Sequence, residues 1–177
     1  MSRTNVITNY SAGKDPIKRK VVEAGFFALG RTLQSASRFE PEVMKESEKW
    51  PIGFSFSMDV LPNGPSLAME KRREGLVFLG LKKKADADLV VDIKNLSTAY
   101  RMIITEVGAH HVFAEHKIGV KGSIAESLRL IRMIYVAQGY LFPGFLSRNV
   151  LKAPMKMDLN RQLNRLKLLT RGLVLGQ

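Results

Sequence analysis

The feature that most constrains the fold is a change of hydrophobic period at Trp50-Pro51. Upstream, Val22, Phe26, Leu29 and Leu33 recur at i, i+4, i+7 and i+11, the stripe of an amphipathic helix. Asp15-Pro16 opens that helix as an N-cap followed by proline at the first helical position, and its end is predicted near Ser37. A second short helix is predicted from Pro41 to Lys49. Trp50-Pro51 closes the helical segment, because the residue before a proline is pushed out of the α region. Downstream, Phe54, Phe56, Met58 and Val60 alternate with Ser55, Ser57 and Asp59. That is a half-buried strand with a wholly apolar inner face.

The turn cluster Pro62-Asn63-Gly64-Pro65 follows. Strands are then predicted through Leu67–Lys71, Leu76–Leu79 and Asp88–Lys94, with Lys82, Lys83 and Lys84 in the connection before the last. Helices return at Asn95, where Leu96, Tyr100, Ile103 and Val107 make one stripe and Gly108 punctuates it. A short helix from Ala109 to His116 and a brief strand Ile118–Val120 come next. Ser123-Ile-Ala-Glu126 reads as a capping box. The helix it opens carries one apolar row of Ile124, Leu128, Ile131 and Tyr135 and a second of Leu130, Ile134 and Ala137. Two rows make a face wider than a coiled-coil seam needs. Gly139–Leu146 is an apolar loop or broken helix. From Pro154 the chain reads as a basic amphipathic helix, with Leu159, Leu163, Leu166 and Leu173 roughly in register.

Composition narrows the chemistry. A chain of 177 residues is long enough for one domain with a well-buried core. It has no cysteine, which excludes disulfides, thiolate nucleophiles and zinc–thiolate sites. Residues 1–14 are polar without an apolar core segment, so a disordered lead-in and not a secretory leader is expected. The longest apolar stretch, Ile131 to Leu146, is broken by Arg132, Gln138, Gly139 and Pro143 and is too short to span a bilayer. A cytoplasmic protein, peripheral to the membrane at most, is the expected setting.

The net charge is +12. Much of it sits in the tail, where Lys152, Lys156, Arg161, Arg165, Lys167 and Arg171 face one acid, Asp158. Such a balance points to an anionic partner without separating nucleic acid from anionic lipid. His110, His111 and His116, with Glu115 nearby, raise the question of a metal. Adjacent histidines point apart and no HExxH pattern supports them, so no metal is expected. There is no G-x-S-x-G, P-loop or G-x-G-x-x-G. Asp59, Glu70, Asp88 and Asp92 fall on predicted outer strand faces as solvated carboxylates. No catalytic residue and no cofactor is expected, and the chain is not read as an enzyme.

The segment ADLVVDIKNLSTAYRMI from Ala87, followed by VFAEHKIGVKGSIAESLRLIRMI to Ile134, resembles the sterol carrier protein 2 family. The family pattern is a strand beginning Ala-Asp, a helix, an I-x-V-x-G strand and a helix directly after the glycine. Here these are Ala87-Asp88, the helix from Leu96, and Ile118-Gly119-Val120-Lys121-Gly122. The resemblance covers roughly residues 50–138, and the N-terminal helix and basic tail depart from the minimal family domain. They look closer to bacterial members with extra helices, including accessory proteins of quinone biosynthesis. The resemblance implies an α+β fold, in which a five-stranded mixed or antiparallel sheet is covered by helices on one face and encloses an apolar tunnel. It places a helical extension at 15–50, the lipid-binding domain at 51–150 and a basic helix at 151–177.

The resemblance also implies a function: non-catalytic carriage of a fatty acyl chain, sterol-like molecule, phospholipid or quinone. Candidate lipid-binding residues are Phe54, Phe56, Met58, Tyr100, Ile103, Phe113, Leu128, Ile131, Tyr135, Phe142 and Phe145. The same inward pattern also fits a solidly packed core, because periodicity gives direction and not free volume. Candidate anion- or membrane-docking residues are Lys18, Arg19 and Lys20, at a helix N-terminus that favours anions, and Lys156, Arg161, Arg165 and Lys167 in the tail. The expected partners are an apolar small molecule, an anionic membrane surface and a second copy of the chain. The alternatives are a basic nucleic-acid-binding module, disfavoured by the lack of a recognition signature, and a scaffold subunit of a lipid- or quinone-modifying complex.

Overall fold

The computed structural model describes residues 15–104 and 117–141. Helix α1 runs from Pro16 to Phe39 and α2 from Pro41 to Ser47; the strands are β1 (Ser55–Val60), β2 (Ser66–Arg72), β3 (Gly75–Gly80), β4 (Leu89–Ile93) and β5 (Ile118–Lys121); α3 spans Leu96–Ile103 and α4 spans Ile124–Leu141. The expected lead-in, the helix 109–116, the loop beyond Leu141 and the basic tail lie outside the described residues. The predicted α3 stripe reached Val107, whereas the described helix ends at Ile103.

Local chemistry sets the helix starts. The Asp15 carboxylate accepts from the amides of Ile17 and Lys18, both at 3.1 Å, and Pro16 occupies the first turn. The Asn95 side chain accepts from the Thr98 amide at 2.8 Å and caps α3 in the same way. Glu126, read as half of a capping box, turns a carboxylate oxygen toward the Trp50 indole N–H and pairs with Arg129 at 3.2 Å. It thereby ties α4 to the end of the helical N-terminal segment.

The five strands form one sheet in the order β3-β2-β1-β4-β5. β1 pairs antiparallel with β2 and parallel with β4, and the outer pairs β2–β3 and β4–β5 are antiparallel. This is the five-stranded mixed sheet expected of the α+β class. Register aligns the inner face: Met58 lies opposite Leu67 and Val91, and Phe56 opposite Met69 and Leu89. The core joins that face to Val22, Phe26, Leu29 and Leu33 of α1 and to Leu130, Met133 and Ala137 of α4.

Two expectations about the strands need correction. β1 was read as half-buried, yet every residue in it is buried. Asp59 and Asp92, read as solvated carboxylates, are 1% and 8% exposed. β1 is the central strand, with β2 and β4 paired along its two sides. Ser57 lies opposite Ala68 and Val90, and Asp59 opposite Ser66 and Asp92. Polarity is met locally: Ser57 donates to Asp59 at 2.6 Å, Lys121 pairs with Asp92 at 2.9 Å, and Lys83 approaches Asp59 at 3.9 Å. Asp88 is used structurally, accepting from the amide and hydroxyl of Ser55 at 2.8 and 3.0 Å.

The β3 edge is closed by side chains of α1. The Leu76 amide donates to the Ser37 hydroxyl at 2.8 Å, and the Phe78 amide to the Gln34 side-chain oxygen at 2.9 Å. These are the N–H groups that an edge strand otherwise leaves open. This contact accounts for the burial of the polar Gln34 and Ser37 in the last turns of α1.

Candidate functional site

Between the sheet and the helices lies an apolar cavity. Its floor is Met58 of β1 with Val91 and Ile93 of β4, its walls include Phe26 and Leu29 of α1 and Met102 and Ile103 of α3, and its roof is α4. Ser127, Ile131, Ile134 and Gln138 of α4 all line it. Their spacing of i, i+4, i+7 and i+11 puts them on one side of the helix. α4 packs principally on α1 and α2 and meets the sheet chiefly at β4, which is why space remains beneath it. Its seat on α2 is polar: Glu46 accepts from Arg132 through two nitrogens at 3.0 Å each and from Arg129 at 3.4 Å. The Arg132 guanidinium is the main cause that holds the Glu46 carboxyl below its ordinary pKa. At its far end, the Tyr140 hydroxyl donates to Glu40 at the α1–α2 junction.

The cavity volume is about 50 Å³. Since roughly 10–15 Å³ accommodates one water, this is room for a short alkyl segment and not for a whole lipid. The expected tunnel is therefore not shown; the described residues enclose a narrow hollow. None of the lining residues is charged, and the polar groups among them belong to Ser127, Tyr135 and Gln138. Ser127 donates its hydroxyl to the Ile124 carbonyl at 2.7 Å.

The structure separates the candidate lipid-binding residues. Met58, Ile103, Ile131 and Tyr135 line the cavity together. Phe56 is fully buried in the core, tilted against Trp50, and Phe54 stacks on the same indole at 4.7 Å; neither reaches the cavity. Tyr100 packs against the core under the Lys18 ammonium and is not a lining residue. Leu128 is 50% exposed and Ile124 is 76% exposed. The row Ile124, Leu128, Ile131, Tyr135 thus starts in solvent and ends in the cavity, rather than facing inward throughout. Phe113, Phe142 and Phe145 lie outside the described residues.

The lining residues absent from the candidates are mostly on α1, β4 and the second α4 row. Phe26, Leu29, Leu130 and Ile134 were visible as helix stripes. Val91 and Ile93 follow from alternation about Asp92. Gln138 had no apolar signal, since it was read only as an interruption of an apolar run.

Among the docking candidates, Lys18 pairs with Asp15 at 3.3 Å. Arg19 pairs with Glu23 at 3.0 Å and donates to the Asn63 carbonyl at 2.8 Å. Lys20 is exposed. Lys156, Arg161, Arg165 and Lys167 lie outside the described residues, as do the three histidines. Among the described residues no group of three or more His, Asp or Glu side chains is placed to hold a metal ion, and no helix is long and apolar enough to cross a membrane.

No protein-family model matches the chain, and no curated protein does. Solved structures do. A UbiJ-SCP2 ubiquinone synthesis protein is 17% identical, with 67% of this chain and 93% of that one covered at a TM-score of 0.45. A possible sterol carrier protein from Thermus thermophilus is 18% identical, with 66% and 85% covered at 0.45. Sterol carrier protein 2 from Yarrowia lipolytica in its apo form is 16% identical, with 69% and 90% covered at 0.41. At these identities the likeness is one of fold; the chemistry of the cavity is that of this chain's own residues.

Proposed function

We propose that the protein binds and carries a lipid-like apolar molecule between its sheet and α4, without transforming it. The observation that carries this reading is the uncharged, largely apolar lining of the cavity, drawn in the main from β1, β4, α1, α3 and α4. Each methylene transferred from water into such a site contributes about 0.8 kcal/mol without requiring directional contacts, so chain length and not head-group geometry dominates affinity. The small resting volume implies that loading lifts α4 away from β4. Its main supports, α1 and α2, lie to the side of that gap, so the displacement leaves the sheet intact. The exposed Ile124 and Leu128, in line with Ile131 and Tyr135, form an apolar path by which a chain slides in from a membrane or another carrier. Lys20 and the basic tail residues supply attraction to anionic lipid in this proposal.

Native mass spectrometry of the purified full chain tests the reading. The expected result is a bound species whose mass matches an extractable lipid, or stoichiometric uptake of a long-chain lipid offered in vesicles. A protein that stays empty under both conditions overturns it.

A further inference from the structure

A second concavity opens where β2 turns into β3, and it shares no residue with the apolar cavity. Arg38 at the end of α1, Ile52 in the turn before β1, Arg72, Arg73 and Glu74 at the hairpin, and Val77 of β3 line it. Its volume is about 560 Å³. Three guanidinium groups share this cleft with one carboxylate, and Ile52 stands 67% exposed beside them. Elsewhere the arginines are occupied: Arg19, Arg129 and Arg132 pair with acids, and Arg31 lies over the Phe27 and Phe78 rings. Arg38 and Arg73 form no ion pair with a described residue. Arg72 pairs with Glu70 at 3.0 Å while its side chain stays 57% exposed, and an exposed pair of that kind contributes only about 0–1 kcal/mol. The backbones that carry these groups are fixed to one another. Ser37, next to Arg38, accepts from the Leu76 amide at 2.8 Å, and the hairpin glycine Gly75 sits so close that a Cβ on it would fall 2.6 Å from the Ser37 hydroxyl. The Gly53 amide donates to the Lys71 carbonyl at 2.8 Å, and the Lys71 amide to the Phe54 carbonyl at 2.7 Å, which holds the Ile52 turn against β2. Binding here therefore requires ordering of side chains and not of the backbone beneath them.

We propose that this cleft docks an acidic segment of a partner protein, one that offers carboxylates to Arg38, Arg72 and Arg73 and an aliphatic side chain to Ile52. Guanidinium groups grip carboxylates through paired N–H donors. Arginine is enriched and lysine depleted at protein interfaces, and no lysine lines this cleft. Glu74 and Ile52 disfavour a row of phosphates, since the first repels it and the second gains nothing from it. A partner held here leaves the lining of the apolar cavity untouched, so docking stands or falls independently of carriage.

Fluorescence anisotropy with a labelled peptide of alternating glutamate and leucine tests this on the full chain, beside a peptide in which serine replaces leucine. The unmodified protein is expected to bind the leucine peptide about fivefold more tightly than the serine peptide. Arg73→Gln, at an exposed position, should weaken the leucine peptide about fivefold, and Arg38→Gln combined with it about tenfold or more. Lys20→Gln with Lys94→Gln removes the same charge from exposed sites outside the cleft and should change binding less than about twofold. Ile52→Ser should make the two peptides bind equally. Absence of binding to the unmodified protein, equal weakening by the lysine pair, or a leucine preference that survives Ile52→Ser overturns the proposal. Tighter binding of single-stranded RNA or of phosphatidylglycerol vesicles that is lost with the same two arginines overturns it as well, by giving the cleft to a phosphate partner.

Discussion

Two glycines in α1 show how little room this core leaves for change. A Cβ built on Gly30 falls 2.6 Å from the Phe78 ring and 2.9 Å from Leu67, and one on Gly25 falls 2.6 Å from Ile103. Alanine is the better helix former by about 1 kcal/mol, but overpacking typically costs about 1–3 kcal/mol, so the contact decides the sign. Gly30→Ala is expected to lower the midpoint of thermal unfolding by several degrees in a circular-dichroism melt. A rise would mean that Phe78 moves aside freely. Cavity residues should behave in the opposite way. Ile131→Phe places extra carbon where space exists, so it should keep the melting temperature within about 2 °C while weakening displacement of an apolar probe by tenfold or more. Equal probe binding by the variant would place the ligand elsewhere. At this scale the sequence was readable in part. Met58, Ile103, Ile131 and Tyr135 were identifiable because alternation and helical spacing report direction. Phe54 and Phe56 point inward by the same rule but serve Trp50, since a period cannot tell which of two inward neighbours a side chain meets. Gln138 was unreadable as a lining residue, because a polar side chain inside an apolar run carries no periodic signal.

At the level of elements, helix starts and strand alternation were legible because they are encoded within a few residues: Asp15-Pro16, Asn95, and Phe54 through Val60. What was not legible depends on contacts between distant segments. The polar end of α1 resembles a fading helix in sequence, and only the position of β3 shows why Gln34 and Ser37 are there. Ser37→Ala removes the acceptor for the buried Leu76 amide and should destabilise by about 1–3 kcal/mol. Hydrogen exchange at Leu76 should accelerate with it, and unchanged protection there would show that the amide finds another acceptor. The clamp between α2 and α4 carries a pH signature. Glu46 has a folded-state pKa below its ordinary value, chiefly through Arg132. Its stabilisation is therefore present above the unfolded carboxyl pKa and is lost as pH falls through the lower, folded one. An exposed-side pair of this kind is worth about 0.5–1 kcal/mol at most. Glu46→Gln should lower stability near neutrality by that order and remove this part of the acid-side decline. A variant whose stability falls with acid as steeply as the unmodified protein would assign the decline to other carboxylates.

The molecule as a whole is a sheet with one strongly filled face and a roof helix held mainly from the side. Ligand that binds only the folded state raises stability by mass action, about 2.7 kcal/mol at a free concentration one hundred times Kd. Saturation with a long-chain lipid should therefore raise the melting temperature, and amide exchange should slow most in α4 and α3. Slowing confined to α1 and the sheet would argue against α4 as the moving part. The outer face of the sheet was the largest misjudgement from sequence. Alternating Ser, Ser and Asp look like solvent-facing residues, but in a central strand flanked on both sides they are enclosed.

The bonds from Gln34 and Ser37 to β3 also limit how copies of this chain can assemble. Growth by lateral strand addition needs two available borders per copy, and here helix side chains already occupy one of them. An added strand at the β3 border would first have to displace Ser37 and Gln34 from the Leu76 and Phe78 amides.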